Sequence, residues 1–186
     1  MNRQVIFTWI ILSFLIVLFA GCSSNNLKNQ ISDFMSIPIH IPYDKLDKHY
    51  CSMFSDSTES HKSIKMVYYV DSLSCTPCEI NKMTLIDAKK RDLYPDVEFI
   101  FIINISRAYV DAVCSSLYNS RIQSPVYLDT LNCFLSANPH IAESNLFHHF
   151  VMNDKDSVLM VGLPFSTNEM ENLFIEILKN NKSAKQ

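Results

Sequence analysis

The sequence predicts an α/β domain in which a central mixed β-sheet carries helices on both faces. Three observations lead there. Two near-continuous apolar runs of strand length, Ile64 to Val70 and Val97 to Ile105, bracket a helix-forming segment, Pro77 to Leu93. Strands without polar alternation are covered on both faces, and a strand–helix–strand unit closes by a crossover that leaves its strands parallel. Farther on, the polar stretch Asn153-Asp154-Lys155-Asp156 separates Leu146 to Met152 from Ser157 to Val161, a hairpin pattern followed by one more amphipathic segment.

The elements can be justified in order. Ile37-Pro38-Ile39-His40-Ile41 alternates in character and reads as a short edge strand, with its proline tolerated at the sheet margin. Segment 44–62 is polar and irregular. In the helix after the first long strand, Ile80, Met83, Ile86 and Leu93 are apolar, while Lys82, Asp87, Lys89, Lys90, Arg91 and Asp92 are polar. Arg107 to Asn119 suits a second helix, and Val126-Tyr127-Leu128 a short strand after Pro125, with a brief helix ending near Pro139. Ser166 and Glu169 have capping-box spacing, and Met170, Leu173, Phe174, Ile177 and Leu178 recur at helical intervals. Phe99, Phe101, Phe147, Phe150 and Phe174 read as core.

Composition narrows the function. The chain has 186 residues, 48% hydrophobic, enough for one domain with a sizeable core. Its net charge of −3 and the lack of a basic stripe argue against nucleic acid as a partner. Gly21 and Gly162 are the only glycines, which excludes glycine-rich phosphate loops and dinucleotide fingerprints.

The amino terminus indicates an address. Arg3 is followed by an apolar run, Val5 to Ala20, short of the about 20 residues a bilayer span needs. It ends in small residues, where a leader would be cut. The run Leu18-Phe19-Ala20-Gly21-Cys22 resembles the lipobox of bacterial lipoproteins. That resemblance implies lipidation at Cys22, a membrane partner reached through the lipid, and a polar tether from Ser23 to Asp33. Ser23 after the cysteine, by similarity to sorting in Gram-negative lipoproteins, implies the outer membrane facing the periplasm. Disulfides persist in such a compartment.

The chemistry concentrates in Ser74-Cys75-Thr76-Pro77-Cys78, directly after a strand and opening a helix. Cysteines three apart in a first helical turn bring their sulfurs side by side, and the positive helix end favours a thiolate there. Pro77 is harmless in that turn and stiffens it. The expected roles are Cys75 at the exposed tip as attacking nucleophile and Cys78, one turn inward, as resolving thiol. Ser74, Thr76, Pro77, Phe147 and His148 are candidate active-site neighbours. No cofactor is expected beyond a redox-active Cys75–Cys78 disulfide.

Strand 64–70, the CTPC motif and its helix, with the closing hairpin 146–161 and helix 166–179, resemble the thioredoxin family. The segments Tyr69-Val70-Asp71-Ser72, Pro125-Val126-Tyr127-Leu128-Asp129 and Val161-Gly162-Leu163-Pro164 resemble thioredoxin-like lipoproteins of Gram-negative bacteria. The extra strand and helix around 125–138 resemble the insertion of periplasmic, peroxiredoxin-related members. This resemblance implies a three-layer sandwich and thiol–disulfide oxidoreductase activity. It divides the chain into a signal peptide (1–21), a lipidated N-terminus, tether and edge segment (22–45) and a thioredoxin-like domain (46–182). The implied partners are exported proteins with thiols or disulfides, and a redox partner.

The sequence departs from that family in three ways. Ser74 stands where Trp usually precedes the first cysteine. Phe147-His148-His149 occupies the place of the family's cis-proline before the first hairpin strand, with Pro125 as the alternative. No acid stands out as the buried group that assists resolution. Two other functions remain open: copper or zinc handling by Cys75, Cys78 and a histidine, and a non-catalytic binding lipoprotein. Cys51, Cys114 and Cys133 allow a Cys114–Cys133 bridge, or thiols in the core.

Overall fold

The computed structural model describes residues 26–49 and 62–183. The leader, the lipobox with Cys22, and Cys51 lie outside the described residues. Helix α1 covers residues 26–36 and leads through a 3-10 turn to strand β1 (Asp47–His49). Then follow β2 (Ile64–Val70), α2 (Thr76–Lys90), β3 (Val97–Asn104), α3 (Val110–Ser120), β4 (Val126–Asp129) and α4 (Cys133–Ala137). The hairpin strands β5 (His149–Asn153) and β6 (Val158–Val161) and helix α5 (Asn168–Ser183) close the chain.

The six strands lie in the order β1-β4-β3-β2-β5-β6. β2, β3 and β4 are mutually parallel, joined by helical crossovers, whereas β1, β5 and β6 run antiparallel to their neighbours. This is the thioredoxin-like three-layer arrangement, with helices on both faces of a mixed sheet. The strand directions have one functional consequence. The C-terminal ends of β2, β3 and β4 and the start of β5 lie at the same end of the sheet.

Successive side chains of a strand point to opposite faces, so the unbroken apolar runs feed two cores. On the first face Met66, Tyr68, Phe99 and Phe101 pack with Ile80 and Met83 of α2, Leu117 of α3 and Phe174 of α5. On the second face Val67, Tyr69, Ile100 and Ile102 pack with Phe34 of α1, Ile39, Ile41, Phe134 of α4 and Phe147. The five expected core phenylalanines are all buried, divided between the two faces.

Asp87 is the main polar group sealed within the first layer. It accepts hydrogen bonds from the backbone N–H groups of Gln123 and Ser124, from the Ser124 hydroxyl and from Arg91. With its lone pairs engaged, it fastens α2 to the turn before β4 instead of standing as an unpaired charge.

Four local expectations give way to stronger competing interactions. Residues 37–41 do not form a strand. Ile39 and Ile41 bury their side chains on the second face, while Asn138 accepts from His40 N at 2.8 Å and donates to His40 O at 2.7 Å. The edge position goes to Asp47–His49, inside the segment expected to be irregular, paired with Val126–Leu128. The described part of the expected tether is helical, because Phe34, 3% exposed, docks α1 on the sheet and stacks on Phe147 at 4.2 Å between ring centroids. At α5 the cap is Thr167, whose hydroxyl accepts from Met170 N at 3.2 Å, while Ser166 donates to Leu163 O. Leu173 remains exposed on that helix.

Cys114 and Cys133 do not bridge each other: α3 packs Cys114 against the first core and α4 packs Cys133 against the second, with the sheet between them. No helix of the described residues is long and apolar enough to cross a membrane.

Candidate active site

The CTPC motif sits where β2 ends and α2 begins. Asp71 shapes the approach: its Oδ1 accepts from Leu73 N at 2.7 Å and from Ser74 Oγ at 3.2 Å, and its carbonyl accepts from Ser74 N at 3.2 Å. A short acidic side chain closing a turn on the backbone two residues on is the Asx device that ends many strands. Cys75 is the N-cap residue of α2, with non-helical φ −69° and ψ 89°, and its carbonyl accepts the first helical bond from Glu79 N at 3.0 Å. No side chain caps the helix, and Pro77 occupies the first turn, where its missing N–H has no intrahelical partner to lose.

Cys75 and Cys78 form a disulfide, with Cα atoms 5.3 Å apart. Both are exposed, as is Pro77, while Thr76 and Ser74 are half-buried. The expected inward position of Cys78 is therefore not what distinguishes the two sulfurs. Their places on the helix do: Cys75 caps α2, beside the unpaired first-turn N–H groups, and Cys78 is already within the first turn.

The two histidines at the entrance to β5 diverge: His149 is its first residue and His148 ends the 3-10 turn before it. His149 pairs in register with Tyr68 and turns to the first face, its ring 4.0 Å from that of Tyr68. Tyr68 donates to Glu79 Oε2 at 2.5 Å, and Lys82 donates to Glu79 Oε1 at 2.7 Å. Burial works against the Glu79 carboxylate, but the Lys82 and Tyr68 hydrogen bonds and the Lys82 charge prevail and hold its pKa below the ordinary value. Burial, then the neighbouring His148, pushes His149 down to about 4, with Glu79 opposing. His149 is therefore neutral at neutral pH.

His148 is buried on the second face. Its ring meets Tyr69 edge-on at 5.1 Å between centroids, and its Nδ1 lies 3.7 Å from Asp71 Oδ2. That distance suits an ion pair but not a hydrogen bond. Burial nevertheless lowers the His148 pKa despite the opposing field of Asp71, and so favours the neutral imidazole at neutral pH. Desolvation likewise pushes Tyr69 up to about 12; its hydroxyl accepts from Asn104 Nδ2 at 3.2 Å.

Of the expected neighbours, Ser74, Thr76 and Pro77 lie in the motif's own turn, and His148 reaches it through Asp71. Phe147 does not: it is buried in the second core against Phe34. Pro125 precedes β4 at the opposite end of the sheet from the disulfide, so it is no substitute for the family's cis-proline. Among the described residues no peptide bond is cis, and His148 itself stands just before the first hairpin strand. Among those residues, too, no group of three or more His, Cys, Asp or Glu side chains is placed to hold a metal ion.

Sequence reasoning missed Glu79 and Asp71. The clue to Glu79 was its place directly after the second cysteine, three residues before Lys82. The clue to Asp71 was an Asx-turn residue between the strand and the motif. Four exposed apolar residues were missed as well: Leu73 (95% exposed), Tyr109, Leu131 and Leu146 lie in separate connections at the disulfide end of the sheet.

No protein-family model matches the chain, and no curated protein matches it. Several solved structures are similar. The thioredoxin domain of a thiol-disulfide oxidoreductase from Bacteroides vulgatus is 10% identical over 63% of this chain and 80% of its own, with a TM-score of 0.49. StoA from Bacillus subtilis is 13% identical over 62% of this chain and 85% of its own, with a TM-score of 0.44. The bacterioferritin comigratory protein of Xanthomonas campestris is 11% identical over 77% of this chain and 96% of its own, with a TM-score of 0.47. At such identities the chemistry has to be argued from this chain's own residues.

Proposed function

We propose that this protein is an exported, lipid-anchored thiol–disulfide oxidoreductase that works through Cys75 and Cys78. The observation that carries the reading is the exposed Cys75–Cys78 disulfide at the start of α2. A two-residue loop between the cysteines makes the bridge a weak staple, since entropic stabilisation grows with loop length. The placement suits exchange: the capping sulfur lies beside unpaired helix N–H groups that favour its thiolate.

In the reducing direction, the Cys75 thiolate attacks one sulfur of a substrate disulfide. A mixed disulfide forms and the other substrate sulfur leaves as a thiolate. The Cys78 thiolate then attacks Cys75 Sγ, re-forming the Cys75–Cys78 bridge and releasing the second substrate thiolate. Two electrons pass from the pair to the substrate, and solvent protons accompany the released thiolates.

Trapping tests this reading. In cells expressing full-length Cys78→Ser protein, mixed disulfides with exported proteins should accumulate and disappear on reduction. No adducts, and no reduction of a model disulfide by the wild type, would refute it. Lipid anchorage at Cys22 and exposure to the periplasm belong to the same proposal. Labelled fatty acid should enter the wild type and not Cys22→Ala, and equal labelling of both would remove the anchor.

A further inference from the structure

The carboxylate that folds the approach to Cys75 has two different oxygens. Asp71 Oδ1 holds the turn through Leu73 N and Ser74 Oγ, and Oδ2 faces the buried imidazole of His148. His148 can move little, because Tyr69 meets its ring edge-on and Phe147, immediately before it, is locked in the Phe34 stack. We propose that His148 is a positioning residue for Cys75: it acts through Asp71, and charging its ring draws the carboxylate inward, offsets its negative field and reshapes the 71–74 turn that presents the sulfur. This rests on the exchange chemistry proposed above and adds the residue that tunes it.

The groups facing His148 can all be named. Asp71 approaches from the β2–α2 connection, Tyr69 from β2 and His149 from β5. Asp129, at the end of β4, acts on the Tyr69 hydroxyl, as Asp71 does, and Glu79 and Lys82 of α2 act on His149. Of these, Asp71 favours an imidazolium at His148, and burial disfavours it. A neutral His148 leaves the Asp71 charge uncompensated ahead of Cys75, which disfavours the thiolate. A protonated His148 removes that handicap.

The test is the rate of Cys75 alkylation by iodoacetamide in the reduced full-length protein, followed by mass spectrometry from acidic to alkaline pH. This readout needs no protein substrate, so it stands apart from the trapping experiment: a failure here leaves exchange intact, and a failure there leaves this result readable. Wild type should show, besides the titration of the thiol, a second inflection below the ordinary histidine pKa. On its acid side alkylation should run roughly threefold or more above the rate extrapolated from the thiol titration alone. His148→Asn, which keeps a polar side chain without a titration in this range, should lose the inflection, and His149→Asn should keep it. In Asp71→Asn the inflection should be lost, since the carboxylate through which His148 acts is gone. A wild-type profile with no second inflection, or one unchanged in His148→Asn, would overturn the proposal. Should His148→Asn fail to fold at pH 7, Asp71→Asn decides: loss of the inflection supports the proposal and its persistence refutes it.

Discussion

Two carboxylates flank the CTPC motif, and they are held in opposite ways. Glu79, just after Cys78, has both oxygens engaged by charge-assisted or phenolic donors, Lys82 and Tyr68. Asp71, four residues before Cys75, commits one oxygen to its own turn and turns the other toward a neutral histidine. A saturated carboxylate is fixed in charge and place over the working pH range. One that faces a neutral imidazole can gain a partner when that ring takes a proton. The side of the motif that leads to Cys75 thus has a carboxylate oxygen still able to gain a partner, and the side that follows Cys78 has none.

Substitutions can break this contrast or sharpen it. The largest effect is expected from Phe34→Ala, which removes the aromatic stack behind Phe147 and His148 from a fully packed site. It should cost about 3 kcal/mol in denaturant unfolding and should loosen the Asp71 side while leaving the Tyr68–Glu79 contact in place. A midpoint within experimental error of wild type would show that α1 is not a working part of the second core. Next comes Glu79→Ala, which leaves the largely buried Tyr68 hydroxyl without its acceptor, at about 2 kcal/mol. Asp71→Ala, whose turn donors can reach water, should cost less than half as much by the same assay. Equal costs for the two would erase the distinction between the arms.

Acid sensitivity follows from the histidines. His148 and His149 both have pKa values lowered in the folded state, so the unfolded chain binds their protons more readily. Their neutral burial is unpenalised above the ordinary histidine pKa of 6.5, and stability should fall as pH drops toward the folded value of about 4 for His149. Urea melts over this range should show a loss of about 1–3 kcal/mol, smaller in His149→Phe. A stability that is flat or rising toward acid would contradict the assigned directions. Thr167→Ala at the start of α5 should cost about 1 kcal/mol from the lost cap, with no change in Cys75 reactivity.

Much of the fold could be read in the sequence, for identifiable reasons. Ile64–Val70 and Val97–Asn104 are buried on both sides, and their composition says so directly. The first turn of α2 was legible because proline and the cysteine spacing are local signals. What escaped depends on contacts between distant residues. Residues 37–41 look like a strand, but Asn138 takes up the backbone of His40. Residues 26–33 look like a linker because the anchoring side chains, Phe34 and Met35, lie just beyond them at the helix's end. Within the site the cysteines announced themselves, while the two flanking carboxylates became meaningful only once β5 brought its histidines beside β2. Phe147 is buried as its aromatic character implies, but its packing against Phe34 rather than the motif was not legible, because the face a residue takes at a strand's entrance depends on register.

The reduction potential of the Cys75–Cys78 pair, measured by equilibration against glutathione and dithiothreitol buffers, tests the central claim most directly. A working exchange pair should be reversibly reduced somewhere between about −120 and −270 mV. A bridge that stays oxidised below about −300 mV would be a structural crosslink, and the oxidoreductase reading would be wrong.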